Sequence, residues 1–154
     1  MRKSKDWIFV IVQFLLFTAY LFEINFLNLE FPEWFRVTCF PFMVLGLVLI
    51  LLSFFQLGNS LSPFPSPLKR ASLITSGVYK YVRHPIYSGI LVLLFSIALY
   101  KASEYKFLIS IFLLILFHFK TIYEESKLLS KFPKYKEYRQ VTGKFFPKFI
   151  ENEK

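Results

Sequence analysis

The chain is short of the residues from which soluble domains build loops, disulfides and metal centres. Its 154 residues include 5 Gly, 2 His, 1 Cys and only 10 Asp and Glu. A single cysteine, Cys39, excludes an intrachain disulfide and a thiolate metal cluster, and gives no reason to invoke an oxidising compartment. Inside an apolar run it reads as a packing residue. Neither a catalytic triad nor a group of metal ligands can be assembled by spacing, so no metal is expected. Internal repeats and low-complexity tracts are absent as well.

What fills the chain instead is apolar. Hydrophobic residues make up 55% and aromatic residues 21%, with 21 Phe. A soluble fold of this length could not cover its own surface with what remains, so the excess must face lipid. The net charge of +9 raises nucleic acid as a partner. The basic residues, however, lie between and after the apolar runs rather than along one continuous face, so an anionic membrane surface or an acidic ligand is the better partner and no nucleic acid is expected.

Four apolar runs set the organisation: Trp7 to about Leu27, Val37 to about Leu57, Ile86 to Tyr100 and Phe107 to Tyr123. Each approaches the roughly 20 residues that a helix needs to cross a hydrocarbon core. The last two are short, but there is no polar sequence in which to bury them, and lipid demands that backbone groups bond within a helix. The first run imitates a signal peptide behind its basic start, yet it lacks a small-residue cleavage site and further spans follow; it reads as a retained helix. The expected fold is all-α, a polytopic membrane helical bundle of about four transmembrane helices. It forms one membrane domain over 1–154, with an N-terminal transmembrane hairpin at 1–57 and a catalytic core at 58–154.

Orientation follows from the connections. Arg2, Lys3 and Lys5 precede the first run; Lys69, Arg70, Lys80 and Arg83 fill the second connection; Lys127, Lys131, Lys134, Lys136 and Arg139 follow the fourth run. The first connection carries Glu23, Glu30 and Glu33 against a lone Arg36, and the third is a short turn with Lys101, Glu104 and Lys106. The positive-inside tendency then makes the chain a multi-pass protein with both termini cytoplasmic, in a bacterial inner membrane or the endoplasmic reticulum.

Two stretches carry candidate chemistry. The first begins after Ser62-Pro63-Phe64-Pro65-Ser66-Pro67, whose prolines forbid regular helix and suit a stiff linker between hairpins. It reads Gly77-Val78-Tyr79-Lys80-Tyr81-Val82-Arg83-His84-Pro85-Ile86-Tyr87-Ser88-Gly89. Pro85 suits the first turn of a helix, which puts His84 near the N-cap, where free N–H groups, Arg83 and His84 can receive an anion. On spacing alone, a plain interfacial belt of basic and aromatic residues explains this stretch slightly better. The second stretch holds His118, Lys120, Tyr123, Glu124 and Glu125, then Leu128, Phe132, Tyr135 and Tyr138. A short turn between the last two runs returns both stretches to one membrane level, so His84 and Glu124 can be neighbours. Lys120 and Glu124, four residues apart, could be a simple intrahelical pair, and the Glu pair a solvated surface. An ionisable cluster at membrane depth nevertheless reads first as functional.

Taken together, Gly77-x-Tyr79, Arg83-His84-Pro85-x-Tyr87-x-Gly89 and Glu124-Glu125 with Leu128, Phe132, Tyr135 and Tyr138 resemble the signature of the isoprenylcysteine carboxyl methyltransferase (ICMT) family of integral membrane enzymes, which use S-adenosylmethionine. The resemblance runs from about Asn59 to Pro147. It implies that Ser72, Leu73, Ile74, Tyr79, His84, Pro85, Ile86, Tyr87 and Glu124 bind S-adenosyl-L-methionine, and Arg83, a donor at the helix start, joins them as a cofactor-binding candidate. It also sets Lys120 where prenylcysteine enzymes carry an arginine for the substrate carboxylate; lysine keeps the charge and loses the fork. Pro133 replaces a common glycine, and one position is missing from the tail.

The chemistry of that cofactor agrees with these residue types: donors at the helix start for its carboxylate, Glu124 for its ammonium or ribose, and a Tyr79 or Tyr87 ring for positive charge. Methyl transfer relies on alignment and exclusion of water, so no metal or covalent nucleophile is required. A carboxylate acceptor would be positioned by Lys120; an amine would need a base such as Glu125 or His118. A C-terminal amphipathic helix over Ser126 to Val141 would close the site from the cytoplasm, while a lipophilic acceptor, a lipid amine or a prenylated carboxylate, enters from the bilayer. Two other classes remain open: an NADPH-dependent membrane reductase of the sterol-reductase type, which should need more arginines than Arg70 and Arg83, and a non-enzymatic membrane adaptor.

Overall fold

The computed structural model describes residues 4–24, 27 and 29–148; Arg2 and Lys3, used above for orientation, lie outside them. Five α-helices follow in order: α1 (Ser4–Tyr20), α2 (Glu33–Leu57), α3 (Pro85–Tyr100), α4 (Glu104–Lys131) and α5 (Tyr135–Val141). Short 3₁₀ turns at Gly58–Ser60 and Gly77–Lys80 flank the long connection between α2 and α3.

Packing arises from a hairpin of α3 and α4 with α1 laid on α4 and α2 on α3. The segment 1–57 thus meets the rest of the chain through both its helices. Contact between α2 and α3 is close because glycines face each other: a Cβ on Gly89 would stand 2.7 Å from the Gly46 carbonyl, and one on Gly46 2.8 Å from the Gly89 carbonyl. Small residues permit such approach where lipid supplies no hydrophobic force between helices. On the other side, Tyr20, Leu91, Ile109, Leu113 and Phe117 form the buried core. α1 runs antiparallel to α4, with the Lys106 ammonium 2.6 Å from the Tyr20 carbonyl and Phe9 stacked on Tyr123.

Two helix boundaries differ from expectation. α1 stops at Tyr20 rather than near Leu27 because Lys106 collects the Tyr20 and Phe22 carbonyls, a cation at a helix C-terminus. α4 continues past Tyr123 to Lys131, since Glu124 to Lys131 contains no helix breaker and its first turn is capped by Ser103. The helix expected over Ser126 to Val141 is therefore divided: its first part extends α4, the chain breaks at Phe132 and Pro133, and α5 completes it.

Beyond α5 the tail returns to the start of α3. The Arg83 N–H donates to the Gly143 carbonyl (2.9 Å), the His84 N–H to the Lys144 carbonyl (3.2 Å) and the Gly143 N–H to the Tyr81 carbonyl (3.2 Å). α2, extended to Ser60, and α4 are long and apolar enough to cross a membrane; α3 is apolar but shorter. Phe40, Leu47, Leu51 and Phe55 of α2 and Phe112, Ile115, Phe119 and Ile122 of α4 are exposed, as lipid-facing side chains must be.

Candidate active site

A cavity of about 300 Å³ opens at the end of the bundle where α1 and α3 begin and α2 and α4 end. Three stretches of chain build its wall for different reasons. The proline-rich connection cannot form regular helix, so Ser62 to Pro65 follow a bent, irregular path along the wall, pinned to α1 by Ser66 donating to Asp6 Oδ1 at 2.9 Å and by Trp7 set edge-on to Phe64. Gly77 (φ +60) turns the chain where a side chain would collide with Gln56, and the Val78 N–H then donates to Gln56 Oε1 at 3.0 Å. That turn buries Tyr79. His84 is the N-cap of α3 and Pro85 occupies its first turn.

All ten cofactor-binding candidates, Ser72, Leu73, Ile74, Tyr79, Arg83, His84, Pro85, Ile86, Tyr87 and Glu124, lie in this wall, together with Lys120. Tyr87 links the two stretches: its hydroxyl donates to Glu124 Oε2 at 3.2 Å, and its ring stacks between His84 and Phe117. The Lys120 ammonium turns to Gln13 Oε1 (2.5 Å) and the Pro63 carbonyl (2.9 Å) rather than to Glu124.

Glu125 is not in the wall. Its carboxylate is held behind it by Arg83 Nε (2.9 Å), His84 Nε2 (3.1 Å) and Arg139 Nε (3.2 Å). Arg83 also donates to the carbonyls of Arg139 and Thr142. So the side chain that meets His84 is Glu125, and the charge of Arg83 is spent within the protein. His118 stands exposed on α4, away from the cavity.

Three tyrosines complete the wall, Tyr79 from the turn before α3 and Tyr135 and Tyr138 from α5. The Tyr138 hydroxyl donates to the Tyr79 carbonyl at 2.6 Å. Tyr135 is 1% exposed and its hydroxyl has no partner. Burial, reinforced by Glu125, holds the Tyr135 phenol well above its ordinary range; burial and Glu124 do the same for Tyr79, and burial pushes Tyr138 up to about 12. All three are neutral O–H donors at any physiological pH.

Sequence reasoning missed Gln13 and treated the proline stretch as a linker. The signal for Gln13 was present, as the polar interruption of the apolar run from Trp7 to Phe17.

Over residues 34–136 the chain matches the phospholipid methyltransferase family. It belongs to that family. Among solved structures it is similar to the eukaryotic intramembrane Ras methyltransferase ICMT (isoprenylcysteine carboxyl methyltransferase), at 22% identity with a TM-score of 0.70. The likeness covers 96% of this chain and 54% of the other, so the chain spans about half the length of that relative. No curated protein matches it. The resemblance read from the two motifs therefore holds for family and fold: this phospholipid methyltransferase family member has an all-helical, ICMT-like membrane fold and is an integral membrane protein. Among the described residues, no group of His, Cys, Asp and Glu could hold a metal ion.

Proposed function

We propose that the chain transfers a methyl group from S-adenosylmethionine to a lipophilic acceptor at the cytoplasmic face of the membrane. One observation carries this reading: a single cavity gathers the first motif, Glu124 of the second and Lys120, although they are up to 52 residues apart between Ser72 and Glu124. The wall fits the cofactor in kind. Leu73, Ile74 and Ile86 offer apolar surface, Glu124 a half-buried carboxylate for a cationic group, and Tyr135 an unpartnered hydroxyl that a ligand can satisfy. When bound, S-adenosylmethionine would supply an electrophilic methyl group, which an acceptor's lone pair takes as the methyl–sulfur bond breaks and the sulfonium leaves as a neutral thioether.

The residues then divide the work. Glu124, fixed by the Tyr87 hydroxyl, binds the cofactor; Lys120 orients the acceptor; the loop from Ser62 to Ile74 and α5 exclude water. Glu125, named above as a possible base, has its oxygens engaged by two guanidiniums and an imidazole, and we assign it to holding Arg83, His84 and the tail in place. Catalysis by alignment without a strong base suits an acceptor that is nucleophilic already. We further read 1–154 as one multi-pass domain with the cavity end, rich in Lys and Arg, in the cytoplasm.

A reductase binding NADPH would need a free guanidinium for the extra phosphate. Arg83, the guanidinium of the cavity wall among the described residues, is taken by Glu125 and two carbonyls. Calorimetric titration of the detergent-solubilised protein with S-adenosylmethionine and with NADPH separates the readings. Saturable binding of the first alone is expected; binding of NADPH alone, or of neither, would overturn the proposal in favour of a reductase or an adaptor.

A further inference from the structure

α3 separates two cavities. Ile86, Tyr87 and Ile90 face the first; Ser88, Leu91 and Leu99, on the opposite side of the helix at about 100° per residue, line a second of about 440 Å³ that shares no residue with it. Phe42 of α2 and Leu114 of α4 flank this second cavity, and both are exposed, so it is a groove that opens on the lipid. From Ser88 to Leu99 it runs about 16 Å at the helical rise. One leaflet of a bilayer has roughly 15 Å of hydrocarbon.

The groove has polar side chains, but none is free. The Thr38 hydroxyl donates to the Phe35 carbonyl at 2.6 Å, the Cys39 thiol to the same carbonyl at 3.5 Å, the Ser96 hydroxyl to the Val92 carbonyl at 2.7 Å and the Ser88 hydroxyl to the Phe145 carbonyl at 2.7 Å. The wall therefore keeps no donor for a polar ligand, and water there would lack the two to four partners it needs. What such a wall accepts is hydrocarbon.

Its two ends differ. Beside the first cavity stand Phe145 and Phe146 of the tail, with the Phe145 ring centre 6.4 Å from that of His84. At the far end, lined by Phe35 and Leu99, their sequence neighbours Arg36 and Tyr100 are joined: Arg36 Nε donates to the Tyr100 carbonyl at 3.0 Å, and its guanidinium lies 5.0 Å from the centre of the Tyr100 ring. Arg36 is exposed, and among the described residues no carboxylate pairs with it. A guanidinium anchored through Nε keeps its terminal N–H groups for the paired oxygens of a phosphate.

We infer that this groove binds a phospholipid of the leaflet away from the active site, one acyl chain lying along α3 between α2 and α4 and the phosphate resting on Arg36. This lipid is not the methyl acceptor, because its phosphate sits beside Tyr100, about 24 Å along α3 from His84. The inference does not depend on the methyltransferase reading. A chain in the groove also lies against Phe145, and so backs the stretch of tail whose Gly143 and Lys144 carbonyls hold the N–H groups of Arg83 and His84.

The test uses full-length protein, stripped of lipid in a neutral detergent, and native mass spectrometry with three probes: dioleoyl phosphatidylglycerol, dioleoylglycerol and glycerophosphoglycerol. They present chains with phosphate, chains without it, and the headgroup alone. The wild type should take up one phosphatidylglycerol saturably, hold dioleoylglycerol about ten-fold or more weakly, the scale of a hydrogen bond to a charged group, and ignore the headgroup alone. Arg36→Gln should bring phosphatidylglycerol down to the level of dioleoylglycerol. Ser96→Phe fills the groove and gives up only a bond within its own helix, so it should weaken both lipids about ten-fold or more. Should that variant fail to fold, Thr38→Phe, at an exposed position of α2, decides alone. Equal phosphatidylglycerol binding by the wild type and Arg36→Gln, or undiminished binding in the groove-filling variant, overturns the inference. Uptake of several copies of either lipid without saturation would mean ordinary boundary lipid and overturns it too. So does a lipid-free dimer that Ser96→Phe or Thr38→Phe dissociates, because the occupant would then be a second copy of the chain.

Discussion

Glu124 and Glu125 are neighbours in sequence and point to different halves of the structure: Glu124 accepts from Tyr87 in the cavity wall, while Glu125 is clamped behind it by Arg83, His84 and Arg139. One helical step, about 100°, separates a cavity-facing carboxylate from one that ties α4 to the start of α3 and to the tail.

The two amides should therefore fail differently. Glu124→Gln removes one charge from the wall and is expected to weaken S-adenosylmethionine binding about ten-fold or more, with little change in melting temperature. Glu125→Gln leaves the Arg83 guanidinium short of its counter-ion, a loss of about 3–5 kcal/mol for a buried pair. It should lower the melting temperature and expose the tail beyond Val141 to limited proteolysis before it affects the cofactor directly. Equal losses of cofactor affinity at native stability in both variants would contradict this division.

Tyr135 offers an opposite pattern. Its hydroxyl is buried with no partner, so Tyr135→Phe removes an unsatisfied group, and unfolding in detergent should show unchanged or slightly raised stability. The same change should weaken S-adenosylmethionine several-fold if a ligand oxygen completes the bond. Unaltered affinity would mean that the hydroxyl faces away from the cofactor.

How much of this was legible in the sequence depends on what each residue does. Pro85 and the apolar runs announce helices through their own backbone chemistry, and the helix start at His84 follows from Pro85 alone. The family motifs brought together residues from α3 and α4 that no periodicity links. Gln13 could not be placed, because its partner Lys120 is more than a hundred residues away and the match to known sequences begins at residue 34. The second use of the proline stretch, as a wall, was hidden for a related reason: its stiffness as a connection is local, but its place in the wall depends on Asp6 and Trp7 of another helix. The end of α1 was set by Lys106, again a contact across the bundle.

Gly89 belongs to the first motif, yet its place is against Gly46 and not in the cavity. Gly89→Ala should push α2 from α3 and cost about 1–3 kcal/mol, as overpacking does. Because α3 begins with His84 to Tyr87, the loss of cofactor affinity should track the loss of stability; a severe binding defect at full thermal stability would argue for a direct role of the glycine.

The cytoplasmic placement of the cavity rests on the distribution of Lys and Arg and is open to a direct measurement. Cys39 is buried and its thiol donates to the Phe35 carbonyl, a bond that serine can reproduce, so Cys39→Ser provides a background free of cysteine. Lys136 is exposed on α5 at the cavity end, and Glu30 is exposed in the connection between α1 and α2 at the other. In intact cells whose plasma membrane carries the protein, Glu30→Cys should react with a membrane-impermeant maleimide, and Lys136→Cys should react only after permeabilisation. The reverse pattern would put the cavity outside the cytoplasm. It would then lie on the side away from the S-adenosylmethionine made in the cell, and no residue geometry within the site could rescue the proposed reaction from that arrangement.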